Sequence, residues 1–132
     1  MITFDFDDTL TRPVWSEKQQ LFEFSDNPNY DLIELLRSFH DQGEEIRIVT
    51  TRWSRLEVVD FVEKYNLPIV AIHCTEGELK GEILDKIGAG LHFNDSPNEA
   101  FNNQKLGIPT MIVSYRFDTS NNCAICEFNL TP

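Results

Sequence analysis

The chain predicts an α/β domain with a mainly parallel, five-stranded central sheet, and three observations carry that reading. Short apolar, β-branched stretches alternate with segments of helical periodicity as far as residue 113. Several helical segments bring their own punctuation, with Ser or Pro at the start and Gly or Asn just past the end. The 132 residues suffice for one hydrophobic core and are too few for two, so 1–132 reads as a single domain. Strands that alternate with helices pair through crossovers, which run parallel and place helices on both sheet faces.

Ile2–Phe6 alternates apolar and polar residues and reads as the first strand. Residues 11–29 carry Pro13, Trp15, Phe22, Phe24 and Pro28 and read either as a flap over the site or as a patch packing on the body. Within them a short helix is expected over Ser16–Phe24, capped by Ser16, with Phe22 and Phe24 packing on the body and Trp15 a candidate substrate contact. Over Tyr30–Gln42 the stripe Leu32, Ile33, Leu36, Phe39 predicts a helix stopped by Gly43. Ile46–Thr50 is the second strand. Ser54-Arg55-Leu56-Glu57 has the pattern of a capping box opening a helix to Tyr65, with Val58, Phe61, Val62 and Tyr65 on one face. Asn66 suits a left-handed exit before a third strand over Pro68–Cys74. Lys80–Ile87 reads as a short helix ended by Gly88-Ala89-Gly90, Leu91–Asn94 as the fourth strand, Pro97–Lys105 as a helix and Thr110–Val113 as the fifth strand. Residues 115–132 show no clear period and read as a tail.

Composition narrows the function classes. A net charge of −11, from 22 acidic and 11 basic residues without a Lys/Arg cluster, repels nucleic acid and anionic membranes. No apolar run reaches the roughly 20 residues of a membrane span, and no basic-then-apolar leader opens the sequence, so a cytoplasmic location is the expectation. Cys74, Cys123 and Cys126 are an odd set, which argues for free thiols. Cys123-x-x-Cys126 is half of a zinc ligand set, completed only if Cys74 with His73 or His92 joins it.

The densest chemistry lies at the first strand's end, where Asp5, Asp7 and Asp8 fall within four positions. Residues i and i+2 of a strand share a face, so Asp5 and Asp7 converge there. Carboxylates held so close need a compensating cation. A hard divalent ion, Mg²⁺ first, binds through one or two carboxylates, water and a substrate phosphate. The plainer reading is an acidic β-turn with Asp8-Thr9 as a solvated corner, against which stand the apolar residues on both sides.

Ligands of open α/β sheets sit at the carboxyl ends of strands. The second strand ends in Thr50-Thr51-Arg52 and the fourth in Asn94-Asp95-Ser96, while Lys80 opens the helix before the fourth. Each has an ordinary alternative: a strand-end Thr50, a surface Arg52, a Lys80 paired with Glu76 or Glu78, and Asp95-Ser96-Pro97 as a helix cap. Their joint order is what points to a phosphoryl site.

That order resembles the four motifs of the haloacid dehalogenase (HAD) superfamily. Asp5-Phe6-Asp7-Asp8-Thr9-Leu10 matches motif I, Ile46–Thr50 motif II, Lys80 motif III and Phe93-Asn94-Asp95-Ser96 motif IV, covering residues 2 to 113. Asn94 departs from the usual Asp or Gly, and Glu99 stands where a further Asp is common. The resemblance implies a three-layer, Rossmann-like fold and a Mg²⁺-dependent phosphomonoester hydrolase. Asp5 would be the nucleophile that forms an aspartyl-phosphate, and Asp7 the general acid and base. Thr50 and Lys80 would hold the phosphoryl oxygens, with Thr51 and Arg52 as further substrate contacts. The metal ligands would be the carboxylates of Asp5 and Asp95 and the main-chain carbonyl of Asp7. An Asp at position 7 favours phosphatase over dehalogenase chemistry.

Neither gap between the motifs is long enough for the large cap domain that many relatives carry, so the site is expected to be open. An open site suits a large phosphorylated substrate, or closure by a partner subunit in a homo-oligomer. Thr50-Thr51-Arg52 with Lys80-Gly81-Glu82 also resembles the 3′-phosphatase domain of polynucleotide kinases, a polynucleotide 3′-phosphate option that the net charge opposes. The competing class is a receiver-like phosphoacceptor, or a non-catalytic metal-binding signalling domain. Receivers, however, phosphorylate an Asp at the third strand's end.

Overall fold

The computed structural model describes residues 1–130; Thr131 and Pro132, the end of the tail, lie outside the described residues. Its first strand, β1 (Ile2–Phe4), is buried throughout, and β-branched or aromatic side chains fill all three positions. The chain then winds through a wide turn over Phe6–Leu10 before β2 (Val14–Ser16) and β3 (Leu21–Glu23). α1 (Tyr30–Asp41) is capped by Asn29, whose side chain accepts the Leu32 amide, and Gly43 leaves it at φ +93°. β4 (Ile46–Thr50), α2 (Leu56–Lys64) and β5 (Ala71–Cys74) follow, with Asn66 left-handed between the last two. α3 (Gly81–Ile87) ends on a left-handed Gly88, and β6 (Leu91–Asn94) leads to α4 (Pro97–Lys105). α4 is capped by Ser96 and has Pro97 in its first turn. β7 (Thr110–Asp118) and β8 (Cys123–Leu130) close the described chain.

The main sheet is six-stranded in the order β5-β4-β1-β6-β7-β8. β1 lies between β4 and β6, in register Phe4↔Ile48 and Phe4↔Phe93, and every pairing is parallel except the antiparallel β7–β8. Ile48 joins the core cluster that holds Leu32, Ile33 and Leu36 of α1 and Val58 and Phe61 of α2. Its neighbour Val49 packs with Leu84 of α3 and Ile108 in a separate cluster. Adjacent strand residues point to opposite faces, so Ile48 and Val49 serve the two clusters from one strand. No helix among the described residues is long and apolar enough to cross a membrane.

Several expectations change. The helix expected over Ser16–Phe24 is an antiparallel hairpin, β2–β3, whose facing Trp15 and Phe22 meet edge to face at 5.1 Å. Ser16 does cap, accepting the Gln19 amide at 3.1 Å, but the turn it closes is the hairpin's own, with Gln20 at φ +54°. Trp15 stacks on Phe117 of β7 at 4.6 Å and is spent on packing, whereas Phe24, expected to pack, is exposed. The tail supplies a sixth strand, because the fifth runs on to Asp118 and turns back as β8. The capping box of α2 does not close: Ser54 Oγ accepts the Leu56 amide, while Glu57 turns away to Arg52. The suggested zinc set also separates. Cys74 and His73 lie on β5 at one edge of the sheet, Cys123 and Cys126 on β8 at the other, and His92 is buried between them.

Candidate active site

The site is built on the turn that leaves β1. Asp5 is still extended, and its amide donates to the Phe93 carbonyl of β6 at 2.8 Å. That bond carries the strand one residue further and places the Asp5 side chain at the sheet's carboxyl end. The turn then passes through Asp8 at φ +58° and ψ +17°, a left-handed conformation that Asp tolerates better than most residues.

Asp5 is 5% exposed and both its carboxylate oxygens are engaged. Oδ1 accepts from Lys80 Nζ at 2.6 Å and Oδ2 from Thr9 Oγ1 at 3.0 Å. Lys80, 2% exposed, reaches this point from the start of α3 because Glu99 of α4 accepts its amide at 3.1 Å. A buried lysine and a buried carboxylate compensate each other's desolvation only at such short range. Thr9 and Glu99 were not singled out as site residues from the sequence. Thr9 is the last position of Asp-x-Asp-x-Thr, which is its signal in the sequence; Glu99, which departs from the Asp common at its position, holds the Lys80 amide.

Asp95 joins Asp5 across the gap between β1 and β6. Burial first, then its hydrogen bond with Asp5 and the charges of Asp5 and Asp8, push the Asp95 carboxyl up to about 8. Asp8 is raised as well, by burial and by the charges of Asp7 and Asp5, and its Oδ1 is buried without a hydrogen-bond partner. Three neighbouring carboxyls against one lysine leave this corner short of positive charge. That shortage and the all-oxygen donor set fit a hard divalent cation such as Mg²⁺. Among the described residues no three His, Cys, Asp or Glu side chains form a closed ligand group. A Mg²⁺ site needs only one or two carboxylates beside carbonyl and water oxygens. Lys80, Thr9 and the Asp95 hydrogen bond leave one of the four acceptor sites of the Asp5 carboxylate, and an ion that displaced the Asp95 proton would free another.

The Asp7 side chain, expected beside Asp5, turns to the rim. Its oxygens accept from Arg52 Nε at 2.9 Å and Nη2 at 2.8 Å, a bidentate pair, while Arg52 Nη1 reaches Glu57 at 2.5 Å. These hydrogen bonds raise the Arg52 guanidinium above its ordinary value, against the opposing effect of burial. Arg52 is therefore committed to Asp7 and Glu57 and does not stand free for a substrate. The two aspartates separate because β1 ends at Phe4, so the strand alternation that would align them has stopped.

Thr50 is fully buried at the end of β4, two residues beyond the partner of Phe4. Its Oγ1 accepts the Arg52 amide at 3.2 Å and keeps its own proton to donate. Thr51 is exposed, and its carbonyl accepts from Gly77, as that of Thr50 does from Thr75. Both bonds tie the loop after β4 to the turn after β5. The structure thus brings Asp5, Lys80 and Asp95 together, buries Thr50 at the end of the neighbouring β4, and leaves Thr51 exposed and Arg52 paired with Asp7.

Asn94 is 1% exposed, with its side chain fixed at both ends. Nδ2 faces His92 Nε2 at 3.1 Å, and Oδ1 accepts the Ser96 amide at 3.2 Å. His92 Nδ1 lies 2.8 Å from Thr3 Oγ1. The amide donor makes Nε2 the acceptor, so the ring is neutral and carries its proton on Nδ1. Burial, then the Lys80 charge, hold His92 well below the ordinary imidazole range. Both ends of the Asn94 amide are thus used, Nδ2 on His92 and Oδ1 on the Ser96 amide.

No family model, curated protein or solved structure matches this chain.

Proposed function

We propose that the protein is a Mg²⁺-dependent phosphomonoester hydrolase of the capless HAD type, with a three-layer, Rossmann-like fold, working through an aspartyl-phosphate on Asp5. The observation that carries this reading is the Asp5–Lys80 pair. Residues 75 positions apart, matched to separate motifs in the sequence, meet at 2.6 Å, both buried, at the carboxyl end of a parallel sheet.

The parts take the following roles. Asp5 Oδ attacks phosphorus, and the bond to the leaving oxygen breaks as the acyl phosphate forms. Lys80 and the Thr50 hydroxyl offer their protons to the phosphoryl oxygens, and Thr9 holds the Asp5 carboxylate in line. Asp7 is the acid for the leaving oxygen and the base for the water that cleaves the acyl phosphate. It cannot carry a proton to the leaving group while both its oxygens accept from Arg52. Substrate entry therefore draws Arg52 off Asp7 and onto the incoming phosphate. The carboxylates of Asp5 and Asp95 and the Asp7 carbonyl are the groups that would hold Mg²⁺, which when bound would neutralise charge on the transferring phosphoryl group.

The Arg52–Asp7 pair also favours a second reading, a receiver-like phosphoacceptor that forms the aspartyl-phosphate but does not turn it over, because its acid is locked. Hydrolysis of p-nitrophenyl phosphate separates the two. Turnover with Mg²⁺, lost with EDTA and in Asp5→Asn, is expected of the phosphatase. A single stoichiometric phosphorylation without release would mark the phosphoacceptor, and no reaction with folded protein would count against both.

A further inference from the structure

Tyr115 stands on β7, more than a hundred residues along the chain from the acidic turn, and touches it directly. Its hydroxyl donates to the Asp8 carbonyl at 2.7 Å, with the Thr11 carbonyl at 3.4 Å. The same oxygen accepts from Asn29 Nδ2 at 3.2 Å, and Asn29 Nδ2 also donates to the Thr9 carbonyl at 3.1 Å. Asn29 is itself fully buried and fixed as the cap of α1. From the other side the Asp8 amide donates to Thr11 Oγ1 at 2.9 Å. The left-handed residue at the centre of the turn is thus held at its amide and at its carbonyl.

A ring alone would fill this place. Tyr115 packs against Phe22 of the hairpin with centroids 6.1 Å apart, and Phe would keep that contact. What Phe would lack is the hydroxyl, whose hydrogen-bond partners belong to the turn and to α1. A left-handed non-glycine residue persists only where its surroundings over-determine it. Here they are Tyr115, Asn29 and Thr11.

We propose that Tyr115 is a positioning residue: its hydroxyl, oriented by Asn29, clamps the Asp8 carbonyl and thereby sets the turn that aims Asp5 and Asp7. The inference rests on the phosphatase reading for its catalytic consequence and on the geometry alone for the clamp. It gives the C-terminal hairpin a task that its sequence does not suggest.

The test compares Tyr115→Phe with Phe117→Leu, which loosens the stack on Trp15 without touching the hydroxyl. Kinetics with p-nitrophenyl phosphate and Mg²⁺ are read together with backbone order parameters of Asp7, Asp8 and Thr9 by nitrogen-15 relaxation. Tyr115→Phe is expected to lower kcat by about ten- to a hundredfold with KM within about twofold, as a displaced reacting group does. The order parameters of the three residues should fall with it. Phe117→Leu should lower Tm and leave kcat and the turn unchanged. A Tyr115→Phe protein with unaltered order parameters, or with lowered ones and full kcat, would overturn the proposal. Wild-type protein without turnover would instead defeat the phosphatase reading, and the order parameters would then decide the clamp by themselves.

Discussion

Asp5 and Asp7 sit two residues apart on one turn, and their surroundings could hardly differ more. Asp5 is buried against Lys80, the side chains 8% and 2% exposed, and Thr9 takes its second oxygen. Asp7 meets Arg52 at the rim, the side chains 34% and 23% exposed, and Glu57, itself 71% exposed, shares the guanidinium. Breaking a buried pair leaves a desolvated charge with nothing to face, whereas a rim pair is exchanged for water at little cost. The same residue type is thus fixed in one place and held ready for exchange in the other. A nucleophile needs the first condition, and an acid–base group that must shed its partner needs the second.

The largest expected effect comes from breaking the buried side. Lys80→Ala takes the buried cation away from Asp5 and, with it, the proposed phosphoryl contact. Turnover should fall by about a hundred- to a thousandfold. In EDTA, stability to urea should fall by about 3–5 kcal/mol, with Mg²⁺ restoring part of it. An unchanged urea midpoint in EDTA would mean that the pair is not the buried structure described above.

Arg52→Ala tests the rim side and should separate the two readouts. Stability should change by less than about 1 kcal/mol, because the pair is partly solvated. Turnover should fall mainly through a raised KM, since the incoming phosphate loses the guanidinium that leaves Asp7. A stability loss matching that of Lys80→Ala would erase the contrast between the two carboxylates.

A smaller effect is expected from His92, which sharpens the comparison from beneath. Its folded-state value lies well below that of the unfolded chain, so protons bind the unfolded state preferentially. Its contribution is therefore present above about pH 6.5 and lost as pH falls below it. Asp95, raised to about 8, acts in the opposite sense: its folded-state preference for the proton favours the folded state at low pH, and that stability is lost as pH rises from about 4 to 8. Urea midpoints of wild type and His92→Gln between pH 5 and 8 should converge toward the acid end. A constant difference across the range would show that His92 titrates alike in both states.

Much of this was legible in the sequence, for identifiable reasons. The strands Ile46–Thr50 and Leu91–Asn94, and the helices under Leu32, Ile33, Leu36 and under Val58 and Phe61, follow from burial periodicity, which is written locally. The meeting of Asp5 and Asp95 was legible because the parallel strands end at one rim, and Lys80 because it opens the helix before the strand that leads to Asp95. The direction of the Asp7 side chain was not, because it depends on where β1 stops. Glu99 and Tyr115 were hidden differently, since their partners are the Lys80 amide and the Asp8 carbonyl, and backbone groups leave no mark on residue identity. The longer β7 does leave a mark in the sequence: Val113, Tyr115 and Phe117 alternate with Ser114, Arg116 and Asp118, which is strand spacing. The hairpin at Trp15 looks like a helix start in sequence because Ser16 caps a turn as readily as a helix.

The most direct measurement of the central claim is chemical trapping of the acyl phosphate. Borohydride reduces an aspartyl-phosphate to homoserine, which peptide mass spectrometry locates. With p-nitrophenyl phosphate and Mg²⁺ present, homoserine is expected at position 5, and nowhere in the Asp5→Asn protein or in EDTA. Turnover with no homoserine at position 5, or with the trapped residue at Asp7, Asp8 or Asp95, would contradict the assignment of Asp5 as the nucleophile.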